Sequence, residues 1–202
     1  ERSKSNKQIL RRVISYSIPI MISSGLQNFG GLVDMVNITN RLLAAGLTAN
    51  KAKILYGNYG LYKTLYGVPL ILITAIGTTV LPTISRAMAI KDRKEIRRNI
   101  KYAFKVALAI AIPAAVGLSM LSEDVYRTLF GSTDGAKIMT IGSFIIILMT
   151  MTQIQSVILQ GINKFYFVVG SFSIGIICKI IANYIFVGIP KINIYGAIIG
   201  ST

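Results

Sequence analysis

The chain has 202 residues, of which 53% are hydrophobic and 14% charged, whereas an ordinary soluble domain is about 25% charged. Its 22 Lys and Arg against 7 Asp and Glu give a formal net charge of +15. The cations are gathered in a few loops between apolar runs, which excludes a basic nucleic-acid surface interleaved with aromatics. Such runs reach the roughly 18 residues at which a membrane span becomes the default reading. Histidine is absent and the one cysteine, Cys178, lies inside an apolar run. The commonest general base and the commonest metal ligand are therefore missing, and no cofactor or metal is expected.

In chain order, residues 1–13 are polar and basic, and a first span runs over about 14–38. A loop over 39–58 follows, then a second span over 59–85. A basic linker occupies 86–101, where Asp92 with Glu95 three residues on marks a helix start. The third span is 102–121, with Pro113 inside it. A turn-rich loop over 122–137 leads to a fourth span at 138–160. A tight turn at Gly161-Ile-Asn-Lys164 leads to a fifth at 165–189, and a sixth begins at 192–202. Glu1 is not an initiator, and the last apolar run is cut short, so the sequence reads as an internal piece of a longer protein.

Charge orients these spans. Residues 1–13, 86–105 and 161–164 together hold 14 of the 22 cations, the opposite loops hold 6, and Lys63 and Lys179 lie within spans. The positive-inside rule places the first group in the cytoplasm. Arg86, Lys91, Arg93, Lys94, Arg97 and Arg98 are read as topology determinants that can also hold anionic lipid.

A charge at the bilayer centre costs about 2.5–3.5 kcal/mol on insertion scales, so Asp34, Lys63 and Lys179 each need a reason. At 100° per residue, Ser23, Gln27, Gly30, Asp34 and Asn37 share one stripe of the first span, with Tyr16 joining it. Such a stripe faces a bundle interior or a wet cavity, or it glues helices together. The carboxylate of Asp34 favours the cavity. In the second span Tyr59, Lys63 and Tyr66 share a face; Lys63 either meets an anionic head group or snorkels to the nearby outer surface. Gln153, Ser156 and Gln160 align in the fourth span, as cavity lining or as helix-to-helix hydrogen bonds. Lys179 and Asn183 are i, i+4 neighbours in the fifth, too deep for easy snorkelling, and Asp34 is a candidate partner. With seven acids, one of them within a span, and no Ser/His/Asp, Cys/His or paired-carboxylate constellation, the residues point to a transporter rather than an enzyme.

Short motifs then carry a resemblance. Ala75-Ile-Gly-Thr-Thr-Val-Leu-Pro-Thr-Ile-Ser-Arg86, a charged linker, Ile112-Pro-Ala-Ala-Val-Gly-Leu118, Leu159-Gln-Gly-Ile-Asn-Lys164 and Lys179-Ile-Ile-Ala-Asn183 follow in order, with Ile18-Pro-Ile20 and Val33-Asp34 ahead of them. Together they resemble the multidrug/oligosaccharidyl-lipid/polysaccharide exporter superfamily, in its stage V sporulation protein B and lipid II flippase branches. The resemblance implies an all-α polytopic transmembrane bundle, here the start of the second lobe of a transporter with about fourteen spans, packed against an N-terminal lobe. It implies alternating access in a bacterial cell membrane, with a lipid-linked oligosaccharide as substrate and membrane lipids as further partners. It also places Lys63 near a cavity cation of the lipid II branch. On this reading the cavity residues are Ser23, Gln27, Asp34, Asn37, Lys63, Tyr66, Gln153, Lys179 and Asn183. The alternatives are a cation-coupled drug exporter that uses Asp34, and a non-transporting scaffold that works through its basic linker.

Overall fold

The computed structural model describes residues 6–189 and 194–200. These form eight helices: α1 (Asn6–Ala44), α2 (Ala49–Ala89), α3 (Arg93–Met120), α4 (Ser122–Phe130), α5 (Ala136–Gly142), α6 (Ile145–Gly161), α7 (Phe165–Phe186) and α8 (Tyr195–Gly200). No strand occurs among the described residues. By length and composition α2, α3 and α7 can each cross a membrane, and α5 with α6 meets the same test as a pair, across a bend of 52°. The 39-residue α1 contains the stretch 14–38. The expected all-α membrane bundle is what the chain forms.

Three expectations need correction. The loop placed at 39–58 is only the short turn between α1 and α2, because both helices run on past their apolar stretches. Hydropathy marks the part of a helix that lies in lipid, not where its hydrogen-bonded ladder ends. The loop placed at 122–137 contains α4, whose Gly131 ends the helix with φ +68°, a left-handed stop that glycine adopts without a Cβ clash. The fourth span, placed at 138–160, breaks after Gly142. There Tyr62 Oη donates to Gly142 O at 2.9 Å, and a Cβ on Gly142 would sit 2.5 Å from the Tyr62 ring. The sixth span, placed at 192–202, is represented by Ile194 and α8; residues 192, 193, 201 and 202 lie outside the described residues.

Helix boundaries follow local chemistry. Asp92 caps α3 as expected, its Oδ1 accepting from Lys94 N and Glu95 N, both at 3.0 Å. Thr48 caps α2 through Lys51 N at 3.5 Å. Asn163, at φ +61°, closes the tight turn before α7. α2 runs unbroken through Pro69 and Pro82, and the hydroxyls of Thr64, Thr74, Thr78, Thr79 and Thr83 donate to carbonyls one turn back. A hydroxyl spent in this way has no need of water inside a bilayer.

Two groups of helices emerge from the packing. α2, α3 and α6 pack on one another, while α1 packs along α7 and α7 along α8. In the first group α3 offers a seam of Ala103, Ala107, Ala111 and Ala115, all fully buried, against Ile73, Val80, Ile84, Ile146, Ile154 and Ile158. Small side chains every fourth residue let helix backbones approach closely, which is how helices pair where lipid removes the hydrophobic drive. Among the described side chains the groups share a core at the α1–α2 turn end, where Ile38 and Leu42 of α1 meet Tyr59, Tyr62 and Leu65 of α2, with Val187, Ala197 and Ile198 nearby. The core at the opposite end contains, among described side chains, no residue of α1 or α7. α4 covers the shared end: Tyr126 is buried there and its hydroxyl donates to Asn58 O at 3.4 Å. Burial pushes that phenol up to about 12, so it remains a neutral donor.

Candidate functional site

Asp34 sits on α1 near the shared end, 1% exposed. Its Oδ2 accepts from Lys63 Nζ of α2 at 3.2 Å and from Lys179 Nζ of α7 at 2.8 Å. Its Oδ1 accepts from Asn183 Nδ2 of α7 at 3.2 Å. One carboxylate thus joins three helices, and residues 29 and 145 positions away in sequence converge on one oxygen. The helical period explains the α7 side, since Lys179 and Asn183 stand one turn apart on one face and reach the two oxygens of the same group.

The desolvation cost of a buried carboxylate is offset here because it accepts three hydrogen bonds, two of them charge-assisted. The two ammonium groups differ from it in exposure. The Lys63 side chain is 30% exposed and that of Lys179 23%, so both reach past the carboxylate to the edge of the cluster. Formally the hub has two cations on one anion, a surplus of one positive charge. Lys63 Nζ also lies 5.4 Å from the centroid of the Tyr59 ring, within the reach of a cation–π attraction. Below it Tyr56, Tyr59, Tyr62 and Tyr66 form a ladder with ring centroids 6.3, 5.9 and 4.9 Å apart.

The α1 stripe continues as a seam with α7. Asn37 Nδ2 donates to Ile180 O at 3.1 Å and Arg41 Nε to Tyr184 O at 2.9 Å, with the Arg41 guanidinium 3.9 Å over the Tyr184 ring. Asp34, Asn37 and Arg41 lie at three- and four-residue spacing and all hold α7, so at this end the stripe joins helices. Arg41 was not singled out from the sequence, yet its i+7 position from Asp34 on the same face was the available signal. The side chains of Ser23 and Gln27 lie outside those described. Gln153 stands apart from the hub, its Nε2 donating to Thr74 Oγ1 of α2 at 3.4 Å, and Ser156 donates to Thr152 O within α6. Tyr66 joins the hub's surroundings through its ladder contact with Tyr62. Lys63, 30% exposed, makes an ion pair with Asp34. Asn183 Oδ1 has no hydrogen-bond partner among the described residues, and α8 comes so close that a methyl group on Gly200 would run into it. Arg86, Lys91, Arg93, Lys94, Arg97 and Arg98 are all exposed around the α2–α3 turn, remote in sequence and in packing from the hub. Among the described residues no group of three or more Cys, Asp or Glu is placed to hold a metal ion.

A polytopic helical bundle with a desolvated, cation-rich centre where three helices meet has the build of a membrane transporter. Residues 1–135 match the family described as lipid II flippase MurJ, and the chain belongs to that family. It is 29% identical over 184 residues to the lipid II flippase MurJ of Bacillus subtilis (strain 168), which covers 89% of this chain and 34% of that protein. It is 28% identical over 193 residues to the uncharacterized membrane protein YabM of the same organism, covering 96% of this chain and 36% of that one. It is 24% identical over 196 residues to its stage V sporulation protein B, covering 96% and 38%. The chain thus spans about a third of the length of the curated relatives it matches. No solved structure matches it. The family is one of multi-pass membrane transporters, not of catalysts.

Proposed function

We propose that this chain is part of the second lobe of a flippase that moves an undecaprenyl-pyrophosphate-linked cell-wall precursor by alternating access, and that its hub is the lobe's anion-binding centre. The observation that carries the reading is the single carboxylate shared by two partly exposed lysines. A pyrophosphate passing between leaflets needs positive charge that is held in place without being wholly neutralised. The hub meets that need: Asp34 anchors both ammonium groups and leaves one formal charge over.

The two lysines divide the work. Lys179 makes the shorter bond and sits on α7, which α1 already grips through Asn37 and Arg41. Lys63 makes the longer bond, is the more exposed, and belongs to the other helix group. An incoming phosphate oxygen therefore competes with Asp34 for Lys63 first. As it gains Lys63, the ionic tie between the two helix groups loosens at the point where they share their core. Binding is in this way linked to relative movement of the groups, as alternating access requires.

The same geometry weighs against a cation-coupled drug exporter working through Asp34. A sodium ion or proton would have to displace an ammonium that is already bonded there. The test is transbilayer movement of a labelled lipid-linked pyrophosphate in vesicles that hold the full-length protein. Lys63→Ala is expected to lower the rate at least tenfold and Lys63→Arg to keep most of it. Unchanged movement with Lys63→Ala would remove Lys63 from the mechanism, and gradient-driven efflux of an organic cation without lipid movement would favour the exporter reading.

A further inference from the structure

Among the described residues the most concentrated charge lies away from the hub. On α3, Arg93, Lys94, Arg97, Arg98, Lys101 and Lys105 are all exposed. At 100° per residue they fall within about 140° of one another, and at 1.5 Å per residue they rise over roughly 18 Å. The buried seam that begins with Ala103 and Ala107 occupies the other side of the helix. The stripe thus faces outward from the bundle, away from α2 and α6, with which α3 packs. Nearby acids barely compensate it. Asp92 is used as the N-cap of α3, and Glu95 meets Arg98 at 3.7 Å. Among the described residues the other five cations have no carboxylate within ion-pair distance.

We infer that this stripe is a binding site for anionic phospholipid head groups of the leaflet on the linker side. The position of the stripe selects lipid over other polyanions. It starts at Lys105, one turn inside the apolar part of α3, and passes Tyr102, a residue 61% exposed at the same level, where an interfacial aromatic belongs. The head-group layer is about 5–8 Å thick on each side of a bilayer. Lys105 lies at its inner edge, Lys101 about 6 Å further out along the helix, and Arg98 and Arg97 about 10–12 Å out from Lys105. Long cationic side chains bend toward the phosphate plane along their own stems, so all four can meet head groups at once. Arg93 and Lys94, one turn higher, remain within a Debye length of about 8–10 Å. Setting topology needs a charge imbalance between the two sides, which any arrangement round the helix would supply; it does not need six cations on one face with the opposite face kept clear.

The experiment uses the full-length protein in nanodiscs, which have no inside or outside, so an effect on insertion direction cannot imitate an effect on binding. Discs are assembled from phosphatidylcholine with or without about a third of phosphatidylglycerol, and the lipids that stay with the protein after mild detergent extraction are counted by mass spectrometry. The wild type is expected to retain phosphatidylglycerol over phosphatidylcholine and to release it in high salt. Near a surface each cation contributes about a fivefold attraction, so the triple variant Arg97→Gln, Lys101→Gln, Lys105→Gln is expected to lose retention by about a hundredfold. The charge-keeping triple Arg97→Lys, Lys101→Arg, Lys105→Arg is expected to retain it. Equal retention by the Gln triple, equal retention of the neutral lipid, or displacement by an acidic peptide but not by phosphatidylglycerol would each overturn the inference.

Discussion

Replacing Asp34 by Asn tests the hub most directly. The substitution keeps the shape of the side chain and removes its charge, leaving Lys63 and Lys179 without their common anchor. Both ammonium nitrogens lie within 3.2 Å of the same oxygen, so they are no more than about 6 Å apart. At an effective dielectric constant of about 20, two like charges at that distance repel by about 3 kcal/mol. Removing one partner of a buried ion pair typically costs about 3–5 kcal/mol. The lysine side chains are 30% and 23% exposed, so they can turn toward water, and the lower end of that range, about 3 kcal/mol, is expected. The assay is a double-mutant cycle on the unfolding of the full-length protein in nanodiscs, pairing Asp34→Asn with Lys179→Met. Removing Lys179 in the Asn background removes the repulsion, so the double variant is expected to recover at least half the loss. A coupling below about 0.5 kcal/mol, the scatter expected of independent sites, would refute a shared hub.

Other expectations follow from close contacts. Gly142→Val sets a branched side chain against the Tyr62 ring, where a Cβ alone would lie 2.5 Å away; destabilisation of at least about 2 kcal/mol is expected from unfolding curves. Gly196→Ala drives a methyl group to 2.6 Å from the Phe186 carbonyl carbon, and a lowered melting temperature of the full-length protein is expected. Ala107→Leu inserts three carbons into a fully closed seam, with a cost of about 1–3 kcal/mol or more, whereas the same change at exposed Ala109 is expected to leave the melting temperature nearly unchanged. Arg41→Ala, which loses both the bond to Tyr184 O and the guanidinium–ring contact, is expected to cost about 1–2 kcal/mol, and Arg41→Lys to recover only part of it.

Much of this was legible from the sequence, residue by residue. Asp34, Lys63, Lys179 and Asn183 stand out because lipid makes each of them expensive, and Asp92 stands out as a cap because the chain turns polar there. Of their meeting, only Asp34 as a candidate partner for Lys179 was legible, and that pair forms. Nothing local to Lys63 reveals that α1 and α7, more than a hundred residues apart, bring a carboxylate and a second lysine to its nitrogen. Nor did apolar character distinguish the fourth span from an unbroken helix. The break after Gly142 contains no proline and leaves the hydropathy unchanged; its cause is a tyrosine from α2 seated on the Gly142 carbonyl, a tertiary event. Position 41 falls within the loop expected at 39–58, because the apolar run stops at 38. The helix runs on to Ala44, and that extension turns a loop residue into the last clasp of a seam.

The alanine seam of α3 has a further consequence. Four equal side chains at equal spacing look the same after a shift of one repeat, about 6 Å along the axis. Such a surface holds a helix at a fixed distance from its neighbours yet says little about its height between them, as a smooth rail guides a carriage without setting its stop. The stops lie at the two ends. At one, the short turn from Ile90 to Asp92 ties α3 to α2; at the other, Ser119 Oγ donates to Thr140 O at 2.9 Å and Ser122 Oγ pairs with Thr140 Oγ1 at 2.7 Å. Ser119 near the end of α3 and Ser122 at the start of α4, both on Thr140, rather than the apolar middle of the helix, therefore set the height of α3 against α5.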